Sequence, residues 1–172
     1  MAELSYIIKQ NYKSSFDTLK HTSYDKENSV YLCQSNMQVI DFDHLTKDLY
    51  PQKQPSSYDS LIIEEETKKV FCVEFKNQKQ SHIKNPELHK KVKNSDETIR
   101  HICSEHNVAK NDYTFILCIV YKENPSNYRY RRFEKNIIHF ELDVYMGKYF
   151  SKIITNDIEF FKEEFDKNFG CN

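Results

Sequence analysis

The feature that most constrains the fold is the run YTFILCIVY at residues 113–121, in which every side chain except Thr114 is apolar or aromatic. A strand with one face in water alternates apolar and polar side chains, whereas this run is apolar at successive positions. We therefore predict a central strand that is covered on both faces. Such a strand requires other elements packed on both sides of its sheet.

The other segments supply those elements. Residues 3–20 carry apolar side chains at helical spacing, and Asn85 with Pro86 begins a second predicted helix that runs to about residue 107. The remaining predicted elements are short strands at SVYLC and MQVIDF, a helical turn at DHLTKDLY, a strand at IIHFELDVY and a C-terminal helix at NDIEFFKEEFDKNF. This order predicts a single domain over residues 1–172, of the α/β (α+β) class, with a mixed sheet flanked by helices.

Composition narrows the class of protein. The formal net charge is −1, so a nucleic-acid surface would have to be a local basic patch. The chain has no apolar run near the roughly 18 residues of a membrane span and no signal-peptide core, which predicts a cytoplasmic protein without a membrane partner.

The five cysteines are scattered, which predicts reduced thiols, with Cys72 and Cys118 buried in strands. Without a glycine-rich phosphate loop, a Gly-x-Ser-x-Gly elbow or a His-Glu-x-x-His motif, nucleotide hydrolysis, esterase and zinc-protease activities lack support.

The stretch SYDSLIIEEETKKVFCVEFKNQ, residues 57–78, predicts a central hairpin. Its polar turn is ETKK, residues 66–69, and pairing of Glu65 with Val70 across that turn would place Asp59 opposite Lys76. Directly paired residues share a face, so Asp59, Glu74 and Lys76 would lie on one side of the sheet. The side chains predicted to enter the core from the opposite side are Ile62, Phe71, Val73 and Phe75.

Two carboxylates and a lysine on one face have a specific chemistry. Adjacent carboxylates repel each other unless a cation neutralises them, and Mg²⁺ commonly binds one or two carboxylates together with water and phosphate. Such an ion activates water for attack on a phosphodiester, and a nearby lysine orients that water or neutralises the phosphorane. The pattern therefore favours phosphodiester hydrolysis with Asp59, Glu74 and Lys76 as catalytic residues.

With Asp59 at the start of one strand and Glu74-Phe75-Lys76 at the end of the next, the chain resembles the PD-(D/E)xK nuclease superfamily. The resemblance implies a restriction-endonuclease-like α-β-β-β-α-β core, covering roughly residues 3–122. It also implies that Asp59, Glu74 and the Phe75 carbonyl bind Mg²⁺ or Mn²⁺ and that Lys76 is catalytic. Gln78 extends the match to Glu-x-Lys-x-Gln.

The chain departs from that pattern in two places. Tyr58 stands where the motif has proline before the aspartate. Many members also carry an acidic residue on the N-terminal helix, for which Glu3 and Asp17 are both candidates. The Glu-x-Lys triplet alone is not specific, because Glu66-Thr67-Lys68 repeats its form within the predicted turn.

Basic residues elsewhere are candidate contacts to nucleic acid. Arg129, Arg131 and Arg132 alternate with aromatic residues in NYRYRRFEK, a pattern suited to phosphate contact and base stacking. Lys90 and Lys91 lie on the helix after the hairpin. A charged loop and a solvated helix face account for the same residues.

The sequence thus predicts a metal-dependent endonuclease with nucleic acid as its partner, DNA being favoured over RNA. A homodimer and a protein partner both remain open. The alternative is a non-catalytic protein-interaction module, such as an inhibitor or immunity-type protein, in which the same charges are incidental. Metal-dependent cleavage separates the two.

Overall fold

The computed structural model describes residues 3–122 and 136–164. The helices are α1 (Leu4–Asn11), α2 (Leu19–Thr22), α3 (Phe42–Leu49), α4 (Asn85–Glu105) and α5 (Ile158–Glu164). The strands are β1 (Phe16–Thr18), β2 (Tyr24–Asp25), β3 (Val30–Tyr31), β4 (Gln38–Asp41), β5 (Ser60–Glu64), β6 (Lys69–Lys76), β7 (Thr114–Tyr121) and β8 (Lys152–Asp157).

Most of these strands form a mixed sheet in the order β1-β4-β5-β6-β7-β8. The neighbours from β1 to β6 are antiparallel, whereas β7 runs parallel to both β6 and β8. Strands β2 and β3 form a small hairpin outside this sheet. The predicted mixed α/β (α+β) sheet flanked by helices is confirmed for the described residues.

Strand β7 is covered on both faces, as its apolar run predicts. Its alternate residues Phe115, Leu117 and Ile119 belong to a core formed with α1, α3 and α4. Ile116, Cys118 and Val120 belong to a second core that includes residues of α2 and α5. The sheet is therefore the middle layer between two helical layers, with β5 and β6 as its central pair and β7 as an interior strand next to β6.

The predicted N-terminal helix is too long. Helix α1 ends at Asn11, and Phe16–Thr18 instead pairs with β4 as the edge strand β1. The free N–H groups at the start of α1 are bound by distant side chains. Leu4 donates to the Tyr113 hydroxyl at 2.8 Å and Ser5 donates to Glu65 Oε1 at 2.7 Å.

The hairpin exists, but its predicted register is wrong by two residues. Leu61 pairs with Cys72 rather than with Glu74, and Glu64 rather than Glu65 closes the turn by pairing with Lys69. Glu65 leaves the ladder because its carboxylate binds the start of α1 and Lys68. An even shift keeps every side chain on its predicted face, since strand side chains alternate with a period of two.

The predicted strand at IIHFELDVY is also wrong. Phe140 and Glu141 have left-handed φ values of 66° and 56°, which interrupt an extended chain, and Leu142–Tyr145 is a 3₁₀ turn. The last strand is instead Lys152–Asp157, and the C-terminal helix begins only at Ile158. Asn156 and Asp157, predicted within that helix, belong to the strand, and Asp157 Oδ1 accepts the Phe160 N–H.

Helix α4 spans almost the predicted range, with Lys84 rather than Asn85 at its N-cap. Leu88, Val92 and Ile99 form its buried stripe. It is the longest helix in the part of the chain that the structure describes, and its buried stripe packs against the same sheet face as α1. This packing brings α4 over β6.

The cysteines differ in state. Cys72, Cys103 and Cys118 are free and buried, in agreement with the expected reduced thiols. Cys33 is disulfide-bonded, so that expectation is wrong for this residue.

Across residues 3–122 and 136–164, none of the helices combines the length and the apolar composition that a membrane crossing demands.

Shortening one buried side chain of β7 tests this packing. Leu117 is fully buried in β7, so Leu117→Ala should lower the free energy of unfolding by about 2–5 kcal/mol through lost contacts and a residual cavity. Val144 is 61% exposed, and Val144→Ala should change stability by no more than about 0.5 kcal/mol. Urea denaturation measures both variants, and equal losses would contradict the described core.

Candidate functional site

The candidate site lies where the start of β5 meets the end of β6 beneath helix α4. Asp59 directly precedes β5, Glu74 and Lys76 lie at the end of β6, and Lys91 comes from the second turn of α4. The last regular pair of the hairpin is Ser60 with Val73, so the next step places Asp59 beside Glu74. The three predicted residues are therefore brought together on one face, although by a different pairing from the predicted one.

The backbone holds Asp59 in place from two sides. Its N–H donates to the Val73 carbonyl and its own carbonyl accepts from the Phe42 N–H, both at 3.1 Å. Its side-chain Oδ2 accepts the Phe75 N–H at 2.6 Å. Beyond the last regular pair of the hairpin, the Asp59 carboxylate therefore accepts the Phe75 N–H that would otherwise bind a backbone carbonyl of β5.

Glu74 is the most buried charged side chain of the site, with 1% of its side chain exposed. Its Oε1 atom lies 3.0 Å from Lys76 Nζ and 2.7 Å from Lys91 Nζ. The other oxygen, Oε2, accepts a hydrogen bond from Lys91 at 2.8 Å. Glu74 is therefore a buried carboxylate that is ion-paired with both ammonium groups.

Lys91 was predicted on a helix face open to solvent and to nucleic acid, and its place in the site was missed. The structure leaves only 23% of its side chain exposed and places Nζ 3.8 Å from Asp59 Oδ1 as well as beside Glu74. Helical spacing offered a signal, because Lys91 is three residues after Leu88 and lies beside the buried stripe, whereas Lys90 lies on the opposite face of the helix. Lys90 is exposed, so the adjacent lysines differ because α4 turns only Lys91 toward the sheet.

Burial and charge alter the acidity of this cluster. Burial, followed by the negative charge of Glu74, raises the pKa of Asp59 to about 8, against the opposing effects of Lys91, the Phe75 N–H and Lys76. Burial lowers the pKa of Lys91, but the charges of Glu74 and Asp59 outweigh it, and the net shift is upward. Near neutral pH, Lys91 is charged and the Asp59 carboxyl retains a proton in much of the population.

The remaining predicted residues lie around or away from this cluster. The Phe75 N–H faces Asp59, and since the N–H and C=O of a strand residue point to the same edge, the Phe75 carbonyl faces that side too. Gln78 is exposed beyond the end of β6. Arg129, Arg131 and Arg132 lie outside the described residues.

The two N-terminal acids are held elsewhere. Glu3 lies 3.8 Å from Lys68, in the turn at the opposite end of β6. Asp17 is on the edge strand β1, separated from β6 by two strands, and binds His21 at 2.7 Å. Neither contacts Asp59 or Glu74 among the contacts of the described residues.

The donor set suits a hard divalent cation. Two carboxylates and one carbonyl are oxygen ligands of the kind that Mg²⁺ takes, with water completing its shell. Within the described ranges no group of three or more His, Cys, Asp or Glu side chains is placed to hold a metal ion, so two carboxylates are the limit here. Comparisons of the chain with protein-family models, curated proteins and solved structures found no match.

A small aromatic surface lies next to this end of β6, and the sequence analysis missed it. Asn77 directly follows β6 and donates to Asp25 Oδ2 at 2.9 Å, which ties the β2–β3 hairpin to the site. On that hairpin the rings of Tyr24 and Tyr31 lie 4.6 Å apart, with Lys20 Nζ 4.9 Å from the centre of the Tyr31 ring. The sequence feature that could have revealed this surface is the pair Tyr24 and Tyr31 on either side of the polar turn DKENS.

Because the pKa of Asp59 is raised, the free energy of unfolding of the metal-free protein should fall as the pH rises. The unfolded carboxyl ionises near its ordinary pKa of 3.8 and the folded one only near 8, so ionisation favours unfolding across this window. Asp59→Asn, which cannot ionise, should therefore gain stability relative to wild type as pH rises from about 4 to about 8. Thermal denaturation in EDTA at several pH values measures this gain.

The matched control is Asp112→Asn, because Asp112 is exposed. Its difference from wild type should stay flat over the same pH range. If the stability difference between Asp59→Asn and wild type also stays constant with pH, folding does not raise the pKa of Asp59.

Proposed function

We propose that this chain is a divalent-metal-dependent endonuclease that hydrolyses phosphodiester bonds in nucleic acid, with DNA favoured over RNA. The observation that carries the proposal is the buried Glu74 carboxylate beside Asp59, with Lys76 Nζ 3.0 Å away. Burying an ionised carboxylate is costly, and clusters of two carboxylates with shifted pKa values are enriched at functional sites.

The order of elements supports the proposal. When β1, α2, β2, β3 and α3 are left out, the remaining elements are α1, the antiparallel strands β4, β5 and β6, then α4, and β7 parallel to β6. This is the α-β-β-β-α-β order that the resemblance to PD-(D/E)xK nucleases implies. Asp59 and Glu74 then fall at the hairpin positions that the resemblance assigns to metal ligands.

In this proposal Asp59, Glu74 and the Phe75 carbonyl hold Mg²⁺ or Mn²⁺. When bound, the ion supplies positive charge to the phosphate and activates water for attack. The anchoring of Asp59 through Phe75 and Val73 keeps its carboxylate beside Glu74 without help from solvent. Preorganised ligands of this kind lower the cost of assembling the site during catalysis.

Lys76 is the proposed catalytic residue of the chain itself. Its ammonium group contacts Glu74, and 18% of the side chain is exposed, which leaves it open to an incoming phosphate. From there it would orient the attacking water or neutralise the negative charge that develops on phosphorus. The phosphorus–oxygen bond to the leaving group breaks as the bond to the water oxygen forms.

The aromatic surface of the β2–β3 hairpin supports nucleic acid as the substrate. Tyrosine rings stack on bases without sequence preference, and lysines beside them contact phosphates. Tyr24 and Tyr31 meet this description next to the end of β6. The arginines at 129, 131 and 132 remain predicted contacts.

One observation favours the alternative, a non-catalytic protein-interaction module. Both carboxylates already have an ammonium group nearby, as in an ion-pair cluster whose role is structural. On that view the site stabilises the end of β6 and binds no metal. The two functions differ in their response to divalent cations.

Cleavage assays test the proposed activity directly. Supercoiled plasmid, single-stranded DNA and RNA should be incubated with Mg²⁺, Mn²⁺ or EDTA. Glu74→Gln and Lys76→Met should each reduce metal-dependent cleavage by about 10²-fold or more, because each removes a charge that acts in the transition state. Lys79→Met, an exposed lysine beyond the same strand, should retain activity.

Persistence of cleavage in EDTA or in Glu74→Gln would assign the activity to a different site or to a contaminant. Circular dichroism of each variant separates loss of activity from loss of fold.

Metal binding should also appear as stabilisation. At a metal concentration about 100 times Kd, binding adds about 2.7 kcal/mol, or a rise in Tm of about 5–10 °C for a domain of this size. Asp59→Ala should abolish the rise because it removes a ligand, whereas the exposed control Asp112→Ala should preserve it. A Tm that no divalent cation changes, together with absence of cleavage, would favour the interaction module.

A further inference from the structure

Lys91 occupies the space between the two carboxylates of the site. Its Nζ lies 2.7 Å and 2.8 Å from the two oxygens of Glu74 and 3.8 Å from Asp59 Oδ1. It therefore bridges the same acidic groups that the proposed function assigns to a divalent cation. Lys76, by contrast, reaches Glu74 from its own strand and from one side.

An ammonium group in this position and a divalent cation exclude each other. They compete for the oxygens of Glu74, and two positive charges about 4 Å apart repel strongly in a partly buried site. Lys91 is attached to the rigid α4 backbone through a flexible four-carbon chain, so its ammonium can move while the helix stays in place. Its side chain is 23% exposed, which leaves a route to solvent.

We propose that Lys91 is an internal counter-ion that neutralises the carboxylates in the metal-free protein and must be displaced when the metal binds. The inference deepens the proposed function and rests on it. Lys91 thereby sets the metal affinity: it stabilises the empty cluster and weakens the binding of the divalent ion. The freed ammonium, still beside the site, is then available to a substrate phosphate.

The first test compares the Mn²⁺ affinity of wild type, Lys91→Met and Lys90→Met by isothermal titration calorimetry. Lys90 is the matched control, since it is the neighbouring lysine on the same helix and is exposed. Lys91→Met should bind Mn²⁺ at least about tenfold more tightly, because a competing charge has been removed. It should also have a lower Tm in EDTA, whereas Lys90→Met should match wild type in both measurements.

The outcomes separate this inference from the function on which it rests. Equal Mn²⁺ affinity in wild type and Lys91→Met, or weaker binding in the variant, would overturn the counter-ion role and leave the metal site standing. Absence of Mn²⁺ binding in all three proteins would overturn the proposed nuclease and the inference together.

A second measurement uses the wild type and does not depend on the variant folding. The side-chain ammonium resonances of ¹⁵N-labelled lysines distinguish a group held in an ion pair from a group in water. In EDTA the Lys91 signal should be protected from exchange, and Mg²⁺ should remove that protection while leaving Lys90 unchanged. A Lys91 signal that stays protected while Mg²⁺ binds would contradict displacement.

Discussion

The buried charge of Glu74 is the constraint on which the rest of the site depends. An ionised carboxylate out of contact with water costs several kcal/mol unless cations and hydrogen bonds compensate. One compensating ammonium group belongs to Lys76, two residues further along β6. The other belongs to Lys91 of α4, seventeen residues away in sequence. The site therefore forms only when α4 packs across β6, so folding of the core and assembly of the site are the same event.

The four charged groups form a cluster in which the protonation of Asp59 depends on whether a metal ion is bound. With all groups ionised, Asp59, Glu74, Lys76 and Lys91 sum to zero formal charge. Burial and Glu74 favour a proton on Asp59, and an added divalent ion would oppose that proton, so metal binding and proton release are coupled. The same balance explains how a protein can hold two adjacent carboxylates without losing its fold when no metal is bound.

The hairpin shows which predictions from sequence survive a local error. The turn was assigned one residue too late on the first strand because Glu65 leaves the ladder to bind Ser5 of α1, a contact across sixty residues. Pattern alone carries no information about such a contact. The face assignment survived because the shift was even, and Ile62, Phe71, Val73 and Phe75 enter one core as predicted. The strand expected at IIHFELDVY failed for a different reason, since apolar content cannot reveal the left-handed turn at Phe140.

Side-chain patterns along the chain were enough to predict the apolar strand at residues 113–121, the helix that begins near Pro86, and the common face of Asp59, Glu74 and Lys76. These follow from side-chain periodicity, which depends only on neighbours along the chain. Contacts between distant residues were needed to show that Lys91 reaches the carboxylates, how deeply Glu74 is buried, and which segment forms β8. Those features depend on the angle at which α4 crosses the sheet and on contacts between distant residues, where the energies of burial and charge are set.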